Sequence, residues 1–130
     1  METVTVIFDT DILIWVQRGN LKAANLIDKT NEHMISIQTY MELLQCANHK
    51  RQQQIIRNYL REFNFKVIPF TENIGHRASI FIEEYSMVNG LRAGDAIIAA
   101  SAIENGLTLA SANHKHYKII PNLAFHHFKS

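Results

Sequence analysis

The sequence predicts an α/β fold built on a mainly parallel sheet of about five strands flanked by helices. Two observations carry that expectation. Short β-branched apolar runs recur along the chain, the first nearly continuous in apolar character, as a strand covered on both faces must be. Stretches with apolar residues at helical spacing separate these runs.

The elements follow in order. Residues 4–8 (Val4, Thr5, Val6, Ile7, Phe8) read as the first buried strand. Asp9, Thr10 and Asp11 come next, and the chain turns helical from Ile12 to Val16 until Gly19 and Asn20 break it. A helix over 21–28 places Leu21, Ala24 and Ile27 on one face. Residues 34–37 form a second strand, and 39–48 a helix with Tyr40, Leu43, Leu44 and Ala47 on one side. Ile55, Ile56, Tyr59, Leu60 and Phe63 define an amphipathic helix from about Arg51. A third strand over 65–68 ends at Pro69. A long helix runs from Ile74 to Val88 and stops at Asn89-Gly90. The Ala-rich helix 95–104 ends at Asn105-Gly106, and its small residues suit close packing on a sheet. A fourth strand spans 107–110, and 123–128 is a candidate fifth strand at the edge.

Composition narrows the function classes. A chain of 130 residues that is 47% apolar and 19% charged fits one folded domain, 1–130, and excludes a disordered charged tail. Thirteen basic against twelve acidic residues leave +1, so there is no general polycationic coat for nucleic acid. Cys46 is the single cysteine, which permits no internal disulfide and fits a reducing compartment. The start lacks a secretory signal pattern, and no apolar run approaches the roughly 18 residues of a membrane span. The expectation is a soluble, cytoplasmic chain with no membrane partner.

In parallel α/β sheets the ligand crevice lies beyond the carboxyl ends of the strands. Asp9 follows the first strand, Glu42 opens the helix after the second, Asp95 starts the helix before the fourth, and Asn113 follows the fourth. All four belong on one sheet edge. Carboxylates crowded there repel each other, and a hard cation such as Mg²⁺ or Mn²⁺ relieves that cost. Such a cation suits hydrolysis of a phosphodiester. Each residue also has a purely structural reading. Asp9 or Asp11 caps a helix, Thr39-x-x-Glu42 forms a capping box, Asp95 favours its helix N-terminus, and Asn113 serves a turn.

Three segments appear in order: Ile7-Phe8-Asp9-Thr10-Asp11-Ile12-Leu13-Ile14, Ser36-Ile37-Gln38-Thr39-Tyr40-Met41-Glu42-Leu43-Leu44, and Gly94-Asp95-Ala96-Ile97-Ile98-Ala99-Ala100-Ser101-Ala102. Gly106-Leu107-Thr108-Leu109-Ala110-Ser111-Ala112-Asn113 completes the set. With these segments the chain, from Val4 to about Ile120, resembles PIN-domain ribonucleases, specifically the short VapC-like toxins of toxin–antitoxin pairs. The resemblance implies a five-stranded parallel sheet and RNA cleavage dependent on Mg²⁺ or Mn²⁺. It also implies a homodimer and a small antitoxin that inserts a tail into the acidic cleft. It matches Asp9, Glu42 and Asp95 to the family's metal-binding acids, and Thr10 to a position that often carries a hydroxyl. The family often has a fourth acid after the fourth strand. Here Asn113 stands at that position and His116 precedes Tyr117 where another Asp is frequent, so the fourth carboxylate is missing or replaced by neutral ligands. In this reading Asn113 hydrogen-bonds a metal-bound water.

Other residues are weighed in the same terms. Arg92 and His116 are candidates for contacting substrate, Arg92 through an RNA phosphate, against an ordinary solvated face. Lys50, Arg51, Arg57 and Arg61 form a basic helical face with the same two readings. Trp15 and Tyr40 either touch a base or pack in the core. Two alternatives stand beside the nuclease. One is a catalytically weak module that binds antitoxin or RNA without turnover. The other is a haloacid-dehalogenase-like phosphatase, suggested by Asp9-x-Asp11 and Gly94-Asp95, although Ile12-Leu13 replaces its expected Gly-Thr.

Overall fold

The computed structural model describes residues 5–130. Val4, assigned to the first strand above, lies outside the described residues. Five parallel strands pair in the order β3-β2-β1-β4-β5, formed by Val6–Phe8 (β1), His33–Ser36 (β2), Phe65–Ile68 (β3), Thr108–Ser111 (β4) and Phe125–His127 (β5). The helices are Thr10–Gln17 (α1), Leu21–Lys29 (α2), Ile37–Gln45 (α3), Lys50–Glu62 (α4), Glu72–Asn89 (α5), Ala93–Glu104 (α6) and His114–Tyr117 (α7). The expected α/β architecture is present, with β5 at an edge.

Alternation along the strands splits the core into two layers. Ile7 and Leu109 face α5 and α6, where Ala96, Ala99, Ala100 and Ala102 let α6 approach the sheet closely. Val6, Phe8, Ile35 and Ala110 face the other way, onto Ile12, Leu13, Ala23, Ile27, Leu43, Ile56 and Leu60 of α1 to α4. Trp15 and Tyr40 pack at the margin of this second layer.

The chain leaves β1 towards β2 and β3, then crosses back to place β4 on the other side of β1. That reversal opens a crevice between the carboxyl ends of β1 and β4. Local signals set the neighbouring helix starts. Ser36, not Thr39, caps α3: its Oγ accepts the Thr39 N–H at 2.9 Å, so the helix begins at Ile37, which was expected in the strand. Helix α6 begins at Ala93, two residues before the expected start at Asp95. The short α7 was not foreseen, because four residues carry no readable period. At the end of α5, Gly90 adopts the left-handed conformation at φ 78°, turning the chain back towards Arg92 and the crevice.

Candidate active site

An open cleft of about 420 Å³ occupies the β1/β4 crevice. Asp9, Asp11, Glu42, Asp95 and Asn113 line it, with Thr10 between the first two, and no lysine or arginine does. The structure therefore brings together the three sequence-selected acids, Asn113 and Thr10. It adds Asp11, which the sequence offered as a helix cap or as the second acid of the phosphatase-like Asp9-x-Asp11 pair.

Asp9 is buried at the end of β1. Its Oδ1 accepts the Thr10 N–H at 2.7 Å, and its Oδ2 accepts the Ser111 hydroxyl at 2.7 Å. Burial first, and the neighbouring Asp11 charge second, push its carboxyl up to about 7 despite those two donors. Asp11 ties β1 to β4: its Oδ2 accepts the Ala112 N–H at 3.0 Å and lies 3.3 Å from Ser111 Oγ. Ser111 has one hydroxyl proton, and the shorter distance assigns it to Asp9. The other oxygen of Asp11, Oδ1, is buried and has no hydrogen-bond partner among the described residues. Burial raises the Asp11 carboxyl as well.

Glu42 sits on α3, where its Oε1 accepts the Thr10 hydroxyl at 2.5 Å, and Thr39 Oγ1 lies 3.1 Å from that hydroxyl. Gly94 leaves room for this carboxylate: a Cβ there would stand 3.1 Å from Glu42 Oε2 and 3.1 Å from Gln38 Nε2. Asp95, in the first turn of α6, accepts the Tyr117 hydroxyl at 3.4 Å and, at the longer distance of 3.5 Å, the Arg92 N–H. Burial raises its carboxyl, while the Arg92 N–H and the nearby His116 lower it. Tyr117 is buried, and burial with the charges of Asp9, Asp95 and Asp11 drives its phenol well above its ordinary value, so it is a donor here.

Asn113 lies at the start of α7, its N–H donating to Ser111 Oγ at 2.9 Å and its side-chain Nδ2 3.2 Å from His116 Nδ1. His116 stands behind Asp95, with Nδ1 3.7 Å from Oδ2, and does not line the cleft. The side chain of Arg92 is exposed outside the cleft lining. The α4 cations Lys50, Arg51, Arg57 and Arg61 are exposed and lie outside it too.

Sequence reasoning missed Ser111 and Tyr117 as parts of the site and placed Asp11 there only in the phosphatase alternative. For Asp11 the signal was present: a second carboxylate two residues after Asp9, on the same carboxyl edge. Ser111 gave none, since a buried hydroxyl inside an apolar run reads as core, and Tyr117 was visible only as the aromatic after His116, with nothing to tie its hydroxyl to Asp95.

Oxygen dominates the donor set beside the single thiol of Cys46, with four carboxylates in one cleft and one buried carboxylate oxygen left without a donor. That is the donor chemistry a hard divalent cation takes. Among the described residues no three His, Cys, Asp or Glu side chains are already drawn close enough to cage an ion.

A family model described as PIN domain matches residues 6–120. No curated protein matches the chain. Among solved structures, a chain of a toxin–antitoxin complex from Klebsiella pneumoniae is 31% identical. The match covers 92% of this chain and 95% of that one, with a TM-score of 0.78. VapBC2 from Rickettsia felis, bound to a DNA fragment from its promoter, matches at 22% identity over 97% of this chain and 100% of that chain, TM-score 0.77. The sarcin–ricin-loop-cleaving toxin VapC20 of Mycobacterium tuberculosis matches at 14% identity over 83% and 88%, TM-score 0.66. The last two likenesses are of fold.

Proposed function

The chain belongs to the PIN-domain family, and from that premise we propose that it is a divalent-metal-dependent endoribonuclease, the toxin of a toxin–antitoxin pair. The observation that carries the reading is the convergence of Asp9, Asp11, Glu42 and Asp95, from separate stretches of chain, on a cleft with no basic side chain. The likeness to the Klebsiella pneumoniae toxin–antitoxin chain supports the biological role.

Asp9, Glu42 and Asp95 would hold Mg²⁺ or Mn²⁺, with Asp11 contributing its free oxygen. The ion, when bound, activates water and stabilises negative charge developing on phosphate. The protein's own groups do the rest. Ser111 and the Thr10 N–H fix both oxygens of Asp9, and the Thr10 hydroxyl fixes Glu42. Tyr117 steadies Asp95 from behind. Ordered this way, the carboxylates cannot swing away, which reduces the reorganisation left to the reaction. Asn113 presents a neutral amide at the cleft mouth, suited to hydrogen-bonding a water.

The partners in this reading are RNA as substrate, a small cognate antitoxin and a second copy of the chain, all in the cytoplasm. Among the described residues no helix is long and apolar enough to cross a membrane. An antitoxin tail with a basic side chain would complement the uncompensated acids of the cleft.

The test is cleavage of a mixed cellular RNA pool by antitoxin-free protein in Mg²⁺, Mn²⁺ or chelator. Discrete fragments that need the ion and disappear in Asp95→Asn are the expected result, with a rate loss of at least about a hundredfold. Equal cleavage by a folded Asp95→Asn protein overturns the assignment. Binding of RNA without any cleavage favours the module without turnover.

A further inference from the structure

A second groove, of about 400 Å³, runs between α2 and the outer edge of β5. Lys22 and Lys29 form one wall. They lie seven residues apart on α2, two turns along one face and roughly 10 Å along its axis. His126, His127 and Lys129 form the other wall. No carboxylate lines the groove, and none of the three lysines forms an ion pair among the described residues. Asp28, the one acid of α2, lies near Tyr59 of α4 and outside the lining. In a chain of net charge +1, this is a local concentration of positive charge.

The β5–β4 pairing ties the groove to the strand that ends at the acidic cleft. The Phe128 N–H donates to Ser111 O at 2.8 Å, and Ser111 Oγ holds Asp9. His127 stacks on His114 with ring centroids 4.9 Å apart and planes 19° from parallel, and His114 directly follows Asn113 of the cleft. Side chains alternate at the edge: His126 shares a face with buried Phe128, towards α2, while His127 shares a face with Phe125, towards α7. The groove's lysines therefore lie on one side of β5, and the exposed His127–His114 stack lies on the other, next to the residue that follows β4 into the cleft. Leu26 adds an apolar patch to the lining between the lysines.

We propose that this groove binds the backbone of the single-stranded RNA whose scissile phosphate enters the cleft. The proposal rests on the ribonuclease reading. The lysines would neutralise successive phosphates, and the exposed His127–His114 stack offers a ring face to a base without selecting its identity. The acidic cleft repels an RNA backbone, so a flanking cationic track supplies the attraction that the cleft lacks.

The test uses the full chain carrying Asp95→Asn and a fluorescein-labelled single-stranded RNA of mixed sequence, read by anisotropy over a range of salt concentrations. Adding Lys22→Glu, Lys29→Glu and Lys129→Glu together should weaken binding by about tenfold or more and reduce the slope of log affinity against log salt by about 2. Lys66→Glu, on β3 at the opposite sheet edge, makes the same kind of charge change and should alter affinity by no more than about twofold. Circular dichroism checks that each variant is folded. A triple variant that binds with unchanged affinity and salt slope overturns the groove. If the wild-type chain cuts RNA while the triple change has no effect, the groove alone fails. If the wild-type chain neither binds nor cuts RNA, the ribonuclease reading fails and takes the groove with it.

Discussion

Asp11 makes two different demands on its surroundings. One oxygen is held by the Ala112 N–H, which locks the exit of β1 to the exit of β4. The other is buried without a donor, an arrangement that costs about 1–3 kcal/mol or more for a charged group unless something positive compensates it. Asp11→Asn separates the two roles, because the amide oxygen still accepts the Ala112 N–H while the charge is gone. The expected outcome is a folded protein whose Mn²⁺ affinity, measured by calorimetry, falls about tenfold. Unchanged affinity would reduce Asp11 to a strand tie. The same reasoning explains why Asp11 was legible only in part. Its position after a strand was visible, whereas the burial of its Oδ1 without a donor, and the hold on its Oδ2 by Ala112, 101 residues away, exist only in the folded chain.

At the scale of elements, α6 carries a requirement of its own. Its first turn must pass beside α3 closely enough to bring Asp95 near Glu42, and at Gly94 the two helices come close enough that a side chain would press on α3. Gly94→Ala should favour the helix by up to about 1 kcal/mol on propensity alone. The new Cβ would meanwhile push Glu42 and Gln38 by a few tenths of an ångström. We expect thermal stability to be kept or raised while the cleavage rate drops about tenfold. Loss of stability and rate together would instead mean that the turn cannot absorb the methyl group. Element boundaries were readable where the signal was local. Gly90 after α5 and Pro69 after β3 mark ends that short-range chemistry dictates. The start of α3 was misplaced because two hydroxyl residues compete as caps. Ser36 takes the role, and Thr39 is turned inward towards Thr10 and Ser36.

Over the whole molecule, the β1/β4 crevice gathers four carboxylates at the junction between the two core layers. Their mutual repulsion opposes folding in the absence of a cation, and a cation that binds only the native state shifts the equilibrium by mass action. Thermal unfolding should therefore move up by several degrees when Mn²⁺ replaces chelator. At about a hundred times its dissociation constant the ion contributes about 2.7 kcal/mol. Asp9→Asn should lose most of that shift. An equal Mn²⁺ shift in both proteins would place the ion elsewhere.

The sequence by itself determined the alternation of strands and helices, the parallel sheet, and the carboxyl-edge placement of Asp9, Glu42, Asp95 and Asn113. Those properties follow from local periodicity and from the rule that a parallel sheet exposes its carboxyl ends as a crevice. Tertiary structure decided what depends on distance in space. It set Asp11 and Ser111 beside Asp9, put Tyr117 behind Asp95, and left Arg92 and His116 outside the cleft lining. It also lined Lys22 and Lys29 up against an edge strand a hundred residues further on. Pattern along a chain reports which face a residue occupies, whereas hydrogen bonds and charge crowding belong to pairs that only the folded chain brings into contact.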